Sequence, residues 1–109
     1  MEENMLNQLP IGSIVKVGSD SESLMIVAQY PVTTIQDKSG YFDFCAVSLP
    51  IGLSDQQLHF FNKEDITELI FIGYIDVNFQ TFVHNNEEYE QKLELPKFSI
   101  DDLREVYRE

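Results

Sequence analysis

The most reactive side chains of the sequence are one thiol and two imidazoles, and their setting argues against a catalytic centre. Cys45 carries the only thiol. Its general base would have to be His59, His84 or Asp43. Cys45 is predicted to lie in the middle of a strand, whereas activated thiols usually lie at helix N-termini or beside cations. We interpret Cys45 as a packing residue and predict no catalytic residue.

Metal and phosphate sites need ligand spacings that this sequence does not offer. His59 and His84 stand 25 residues apart, and neither has a second His or a Cys pair close by, so they form no zinc motif. Asp20 and Glu22 resemble a fragment of a calcium loop, but the rest of its ligand pattern is missing. The glycines are scattered and form no phosphate-binding loop. We therefore predict neither a metal ion nor a cofactor.

The charge balance restricts the class of partner. Nineteen acidic residues face 7 basic ones, and the formal net charge is −12. Such a surface is repelled by the phosphates of nucleic acids and by anionic lipid surfaces. It favours solubility, a basic partner, or both. We predict a protein partner, with no nucleic acid and no membrane.

Length and composition predict one domain in a reducing compartment. The chain has 109 residues, of which 43% are hydrophobic, enough for one core. A single cysteine cannot form an internal disulfide. The acidic N-terminus does not resemble a signal peptide, and the longest apolar run, 69–75, is too short to span a membrane. We expect a cytoplasmic protein with an N-terminal arm at 1–8 and a domain at 9–109.

The first part of the chain has the pattern of strands. Runs rich in β-branched and aromatic residues lie at 13–17, 24–30 and 41–48. The first two runs are expected to pair as an antiparallel hairpin, and 31–40 is expected to be a connection. A fourth strand is predicted at 68–75. A helix over 62–73 is the alternative, but Gly73 and the β-branched residues disfavour it.

The last part of the chain has the pattern of helices. Asn62 is expected to cap a helical turn, and Asp76 or Asn78 to cap a helix at about 78–94. Whether Asn85 and Asn86 divide this helix in two stays open. Ser99 begins a further helix. Strands at 9–76 followed by helices at 77–109 predict an α+β fold, with an antiparallel sheet of four or five strands on which the helices pack.

The tetrapeptide LPIG occurs twice, at 9–12 and at 49–52. A repeat this short does not indicate duplication. We expect both copies to meet the same local need, which is an extended segment, a bend fixed by proline and a glycine that releases the chain.

Three segments taken together resemble a known family. They are LPIGSIV at 9–15, LMIVA at 24–28, and FFNKEDI at 60–66 with LIFIGY at 69–74. In this order and spacing they resemble small acidic proteins of unknown function that are encoded beside type VII secretion genes of Gram-positive bacteria. The chain is similar to the EsaE-like chaperones of LXG toxins and related nuclease toxins. The resemblance covers about residues 9–76.

The resemblance implies a non-enzymatic adaptor that binds a toxin in the cytosol, keeps it soluble and helps to present it for secretion. It carries no catalytic residue over to this chain. A chaperone of this kind needs an exposed apolar strip with soluble flanks, and the acidic tail offers one. The alternative is that the strip packs on the protein's own sheet. The partner-binding residues predicted in the tail are Phe98, Ile100, Leu103, Val106 and Tyr107.

Two other functions remain open at this point. An immunity protein would block the toxic domain of a toxin, and a strongly acidic chain suits a nuclease inhibitor because it mimics nucleic-acid charge. Binding to the N-terminal targeting region or to the C-terminal toxic domain of the toxin distinguishes an adaptor from an immunity protein. The other function is a small-ligand or enzyme domain, which a turnover assay or a bound ligand would reveal.

Overall fold

The computed structural model describes residues 8–19, 22–54 and 57–103, and the element bounds below refer to these residues. The strands are β1 Ile14–Val17, β2 Leu24–Gln29, β3 Val32–Ile35, β4 Lys38–Tyr41, β5 Phe44–Ser48, β6 His59–Phe61 and β7 Ile66–Phe71. The helices are α1 Val77–His84 and α2 Asn86–Leu93, and a 3-10 turn covers Lys63–Asp65.

Five strands form one antiparallel sheet in the order β6-β5-β2-β1-β7, and β3 pairs with β4 in a separate hairpin. The helices follow the strands along the chain. This confirms the predicted α+β class and the predicted sheet. It also confirms the β1–β2 hairpin, in which Ile14 lies opposite Met25.

The core lies on the face of the sheet that β1, β2 and β5 share. Its buried residues come from the segment before β1 and from four strands. Because side chains alternate along each strand, the inward-facing side chains of the four strands meet in one cluster. Burying aliphatic and aromatic side chains of this size contributes about 1.5–3 kcal/mol each. The cluster contains Leu9, Val15, Leu24, Ile26, Phe44, Ala46 and Phe61, and Val17, Ile66, Leu69 and Ile100 pack against it.

The strand predicted at 41–48 is wrong in its extent, because the structure has two strands there. β4 ends at Tyr41 and β5 begins at Phe44. The interruption is caused by a residue distant in the sequence: the backbone N–H of Asp43 donates to Oδ1 of Asn62 (2.9 Å). β5 itself lies between β2 and β6, and residues 44–47 are buried on both faces.

The connection predicted at 31–40 is also wrong, because it contains the β3–β4 hairpin. Ile35 lies opposite Lys38, so Gln36 and Asp37 form a two-residue turn. Both have positive φ angles, 51° and 69°. A turn of this kind usually carries Asn-Gly or Asp-Gly, and Gln-Asp gives no such signal in the sequence.

The region around β7 was predicted correctly as a strand, although its bounds are 66–71 rather than 68–75. The helical region is divided at Asn85, which ends α1 and precedes α2. Asp76 caps α1, since its carboxylate accepts the backbone N–H of Phe79 (2.8 Å). Ser99 precedes a helical turn at 100–103, and its N–H donates to Asp102 (2.8 Å).

The two LPIG segments share the predicted backbone feature. Gly12 and Gly52 both have positive φ angles, +93° and +87°, which residues other than glycine rarely adopt. Their surroundings differ, because Leu9 is buried in the core whereas Ile51 is 76% exposed. The common local geometry therefore serves one buried and one exposed segment.

A buried asparagine joins three separate parts of the chain. Oδ1 of Asn62 accepts the N–H of Asp43, and Nδ2 donates to the carbonyl of Phe98 (2.7 Å). Its own N–H donates to the carboxylate of Asp65 (2.8 Å). Asn62 is 1% exposed, so its side chain makes these bonds away from water.

Replacing Asn62 by alanine should destabilise the fold strongly. Asn62→Ala leaves the Asp43 N–H and the Phe98 carbonyl buried without their partner, and each such group costs about 1–3 kcal/mol. We expect the free energy of unfolding to fall by about 2–4 kcal/mol in urea denaturation. The control is Asn78→Ala on the exposed surface of α1, which should change it by less than about 0.5 kcal/mol. Equal stability of the two variants would contradict the role given to Asn62.

Candidate functional site

The sheet register separates Cys45 from its nearest histidine. Cys45 lies opposite Phe60, and His59 lies opposite Ala46. Directly opposed residues share a face and successive residues alternate, so Cys45 and His59 point to opposite faces of the sheet. Burial raises the pKa of the Cys45 thiol above its ordinary value, which disfavours the thiolate. This pair therefore cannot act as nucleophile and base.

Asp43 has structural partners of its own. Its carboxylate accepts the N–H of Lys63 (2.9 Å) and lies 3.1 Å from the ammonium of Lys97. Burial acts to lower the pKa of Lys97, but Asp43 and the nearby Glu64 outweigh it and raise that pKa above the ordinary value. This ion pair holds the segment before Phe98 against the start of β5, and it gives the Asp43 carboxylate a structural role.

One polar contact unites residues that the sequence analysis did not group. Oγ of Ser48 lies 2.9 Å from Nε2 of His59 and 3.2 Å from Oε1 of Glu22. In a hydrolase triad the carboxylate orients the histidine, whereas here it contacts the serine. Ser48 donates its hydroxyl proton to Glu22, so its oxygen is left to accept from Nε2 of His59 in the tautomer that carries the proton there. The three come from different segments, and only the strand register reveals their proximity.

A second cluster surrounds the hydroxyl of Tyr30. Tyr30 donates to Oε2 of Glu90 (2.7 Å) and accepts from Nε2 of Gln8 (2.7 Å). Its ring lies 5.9 Å from that of Phe82 and 5.2 Å from that of Tyr89. These contacts fasten both helices to the end of β2. Beside them, a groove of about 280 Å³ is lined by Phe82, Asn85, Glu88, Tyr89 and Lys92.

A run of exposed apolar residues lies along β7 and the segment that leads to α1. The residues at its end are the most open, since Tyr74 is 77% and Val77 is 75% exposed. A succession of large exposed apolar side chains marks an interaction surface more often than an ordinary solvent-facing one. We call this surface the apolar edge, and its members are Ile70, Phe71, Ile72, Tyr74, Ile75 and Val77.

A glycine fixes the apolar edge to the body of the protein. The N–H of Gly73 donates to Oγ of the fully buried Ser13 (2.9 Å). A Cβ at position 73 would collide with the carbonyl of Ile11 and would lie 2.8 Å from the N of Ser13. Only glycine permits this approach, so the segment after β7 follows the first LPIG segment closely while its apolar side chains remain exposed.

The predicted partner-binding residues of the tail are placed differently from the apolar edge. Phe98 is 8% exposed, and its ring lies 5.8 Å from that of Phe42. Ile100 packs against the core, and Leu103 is half-buried. Val106 and Tyr107 lie outside the described residues. Of the tail residues that are described, Phe98 and Ile100 therefore face the protein's own interior.

Two further properties bear on the class of protein. Among the residues that the structure describes, no three His, Cys, Asp or Glu side chains are grouped so that they could hold a metal ion. None of the helices in the described ranges is long and apolar enough to cross a membrane. The fold is an α+β protein whose most distinctive exposed feature is an apolar strand edge.

Comparison with known proteins places the chain in a family. Residues 8–82 match the family described as a domain of unknown function, DUF4176, and the chain belongs to it. No curated protein matches the chain significantly, and no solved structure does. The matched range contains all of β1 to β7 and the whole apolar edge.

The Tyr30 cluster predicts a loss of stability at alkaline pH. Burial, and then the hydrogen bond to Glu90, raise the pKa of Tyr30 above the ordinary value of about 10. Below pH 10 the folded and unfolded states both hold this proton, and above it the unfolded state releases it first. The free energy of unfolding should therefore fall with pH above 10, and Tyr30 should contribute up to about 1.4 kcal/mol per pH unit.

Tyr30→Phe should make this alkaline slope shallower. Urea denaturation between about pH 8 and pH 11.5 measures it. Tyr41 and Cys45, whose pKa values burial also raises, supply a slope that remains in the variant. The exposed Tyr74→Phe is the control and should keep the wild-type slope. A Tyr30→Phe protein with the wild-type slope would refute the assignment.

Proposed function

We propose that this protein is a non-enzymatic adaptor that binds a toxin exported by a type VII secretion system of Gram-positive bacteria. In this role it acts in the cytoplasm, keeps the toxin soluble and aids its targeting for export. The proposal rests on the resemblance over residues 9–76 and on one structural observation, the apolar edge.

The apolar edge supports a binding role because it is exposed at a defined place. Phe71 and Tyr74 are 57% and 77% exposed, yet Gly73 between them is held against the first LPIG segment. A surface that is already ordered loses little conformational entropy when it binds. Large aromatic side chains are also the residues that most often dominate binding energy.

We place the proposed toxin-binding surface at the apolar edge rather than in the tail. Phe98 and Ile100 pack inward, so using them would require the tail to leave the core. The apolar edge needs no such rearrangement. The prediction for Leu103, Val106 and Tyr107 stays open.

A net charge of −12 keeps an immunity protein as the second candidate. An acidic inhibitor can occupy the basic substrate channel of a nuclease, since it presents charge of the same sign as the substrate. Such a protein would bind the toxic domain and abolish its activity. An adaptor would bind the targeting region and leave the activity of the toxic domain intact.

Co-expression with the LXG-type toxin of the same bacterium tests the proposal. The toxin is divided into its N-terminal targeting region and its C-terminal toxic domain, and each part is co-purified with this protein. We expect a stable complex with the targeting region. Binding only to the toxic domain, with loss of toxicity, would establish the immunity role instead, and binding to neither part would refute both.

A matched pair of double variants then tests the surface. Phe71→Thr with Tyr74→Thr removes two members of the apolar edge, and threonine keeps a high strand propensity. Val32→Thr with Ile51→Thr removes two comparably exposed apolar residues elsewhere. We expect the first pair to weaken toxin binding at least tenfold by isothermal calorimetry, and the second pair by less than about twofold. Equal affinities of the two double variants would place the interface elsewhere.

A further inference from the structure

The backbone of β7 offers an unpaired side to a partner. β7 is at the end of the sheet order, and within the described residues β1 is the strand that pairs with it. Beyond Phe71 the chain runs without regular structure from 72 to 76 before α1 begins. A strand at the end of a sheet presents N–H and C=O groups that can accept a further strand.

The two edge strands of the sheet are protected to different degrees against pairing with a further strand. β6, at the opposite end, is only three residues long, which limits the pairing it can support. β7 has six residues, and residues 64–77 contain no Lys, Arg or Pro, which are common protecting residues of such strands. Register shifts occur where β7 meets β1, on its inner side. The outer side of β7 is therefore the one long strand edge left accessible in the five-stranded sheet of the described residues.

The side chains of β7 specify the chemistry of an added strand. Leu69 lies opposite the buried Val15, whereas Glu68 and Phe71 lie opposite Lys16 and Ile14. Because opposed residues share a face, Leu69 is on the core-facing side of β7 and Glu68 and Phe71 are on the other side. Leu69 and Ile66 pack against the core, so apolar side chains of a new strand would extend this face. On the other face, a cation opposite Glu68 would form a favourable cross-strand pair. Lys16 already lies opposite Glu68 on the inner side.

The charge of β7 and its surroundings disfavours a second copy of this chain as the occupant. The acidic residues of 64–77 are Glu64, Asp65, Glu68 and Asp76, and this range contains no basic residue. Pairing two copies along β7 would bring these carboxylates together, and each copy has a net charge of −12. The same charges attract a basic segment.

We propose that β7 receives an additional strand from the partner protein, an extended segment in which apolar residues alternate with Lys or Arg. This inference rests on the proposed adaptor function and states how the partner is held. Main-chain hydrogen bonds to the outer side of β7 supply affinity. The alternating side chains supply specificity, since apolar residues continue the Leu69 face and basic residues meet Glu68.

A pair of peptides tests strand addition on the full-length protein. The probe is acetyl-Lys-Val-Lys-Ile-Thr-Val-Lys-amide, and the control peptide has Glu in place of each Lys. We expect the Lys peptide to bind in an NMR titration and to slow amide hydrogen exchange at two or more residues of 66–71 by at least tenfold. The Glu peptide should not bind. Failure of the Lys peptide to bind, or binding without slower exchange in 66–71, would overturn the proposal.

Two variants with the same change in net charge locate the electrostatic contribution. Glu68→Gln removes the charge from β7, and Glu87→Gln removes one exposed charge from α2. We expect Glu68→Gln to weaken binding of the Lys peptide about two- to fivefold, and Glu87→Gln to have a smaller effect. Equal effects of the two variants would show general attraction rather than a cross-strand pair and would overturn this part of the proposal.

The toxin complex separates the failure of this inference from that of the proposed function. If the toxin binds but exchange in 66–71 is unchanged, strand addition is wrong while the adaptor role stands. If the toxin does not bind at all, the adaptor role is wrong. Concentration-dependent dimerisation with slower exchange in 66–71, measured together with sedimentation, would identify a second copy as the occupant and would overturn the proposal.

Discussion

The buried side chain of Asn62 is the contact on which the arrangement of this protein depends. It bonds to the start of β5 through Asp43 and to the C-terminal segment through Phe98. The same residue begins the 3-10 turn that leads into β7 four residues later. The position of the edge strand is therefore determined by a buried polar group, because the fold loses much of its stability when such a group loses its partners.

Gly73 fixes the other end of the exposed segment. Its N–H is bonded to the buried Ser13, and its lack of a side chain lets the backbone approach Ile11. Between these two anchors, residues 66–72 have backbone positions that the core defines, although Ile70 and Phe71 are exposed. An exposed strand held in this way is preorganised for binding, so that binding a partner costs little conformational entropy.

Local patterns in the sequence predicted most of the elements, and long-range contacts explain the differences. The β-branched residues around Leu69 were enough to identify β7, and Asp76, one of the two caps considered with Asn78, precedes α1. The position of β7 at the sheet end could not be predicted, since it depends on pairing with β1 across about 50 residues. The β3–β4 hairpin was not predicted because its turn residues, Gln36 and Asp37, include no glycine. The strand predicted at 41–48 is interrupted at Asp43 because the N–H of Asp43 donates to Asn62.

An accessible apolar strand and a strongly acidic chain are complementary features of the same protein. A long strand at the end of a sheet tends to pair with identical strands, which leads to aggregation. Here such pairing would bring the carboxylates of two copies close together, while a net charge of −12 repels approaching chains. A partner with positive residues is attracted both by these carboxylates and by the net charge. One set of charges thus disfavours self-association and favours a basic partner, so specificity comes from repulsion as much as from contact.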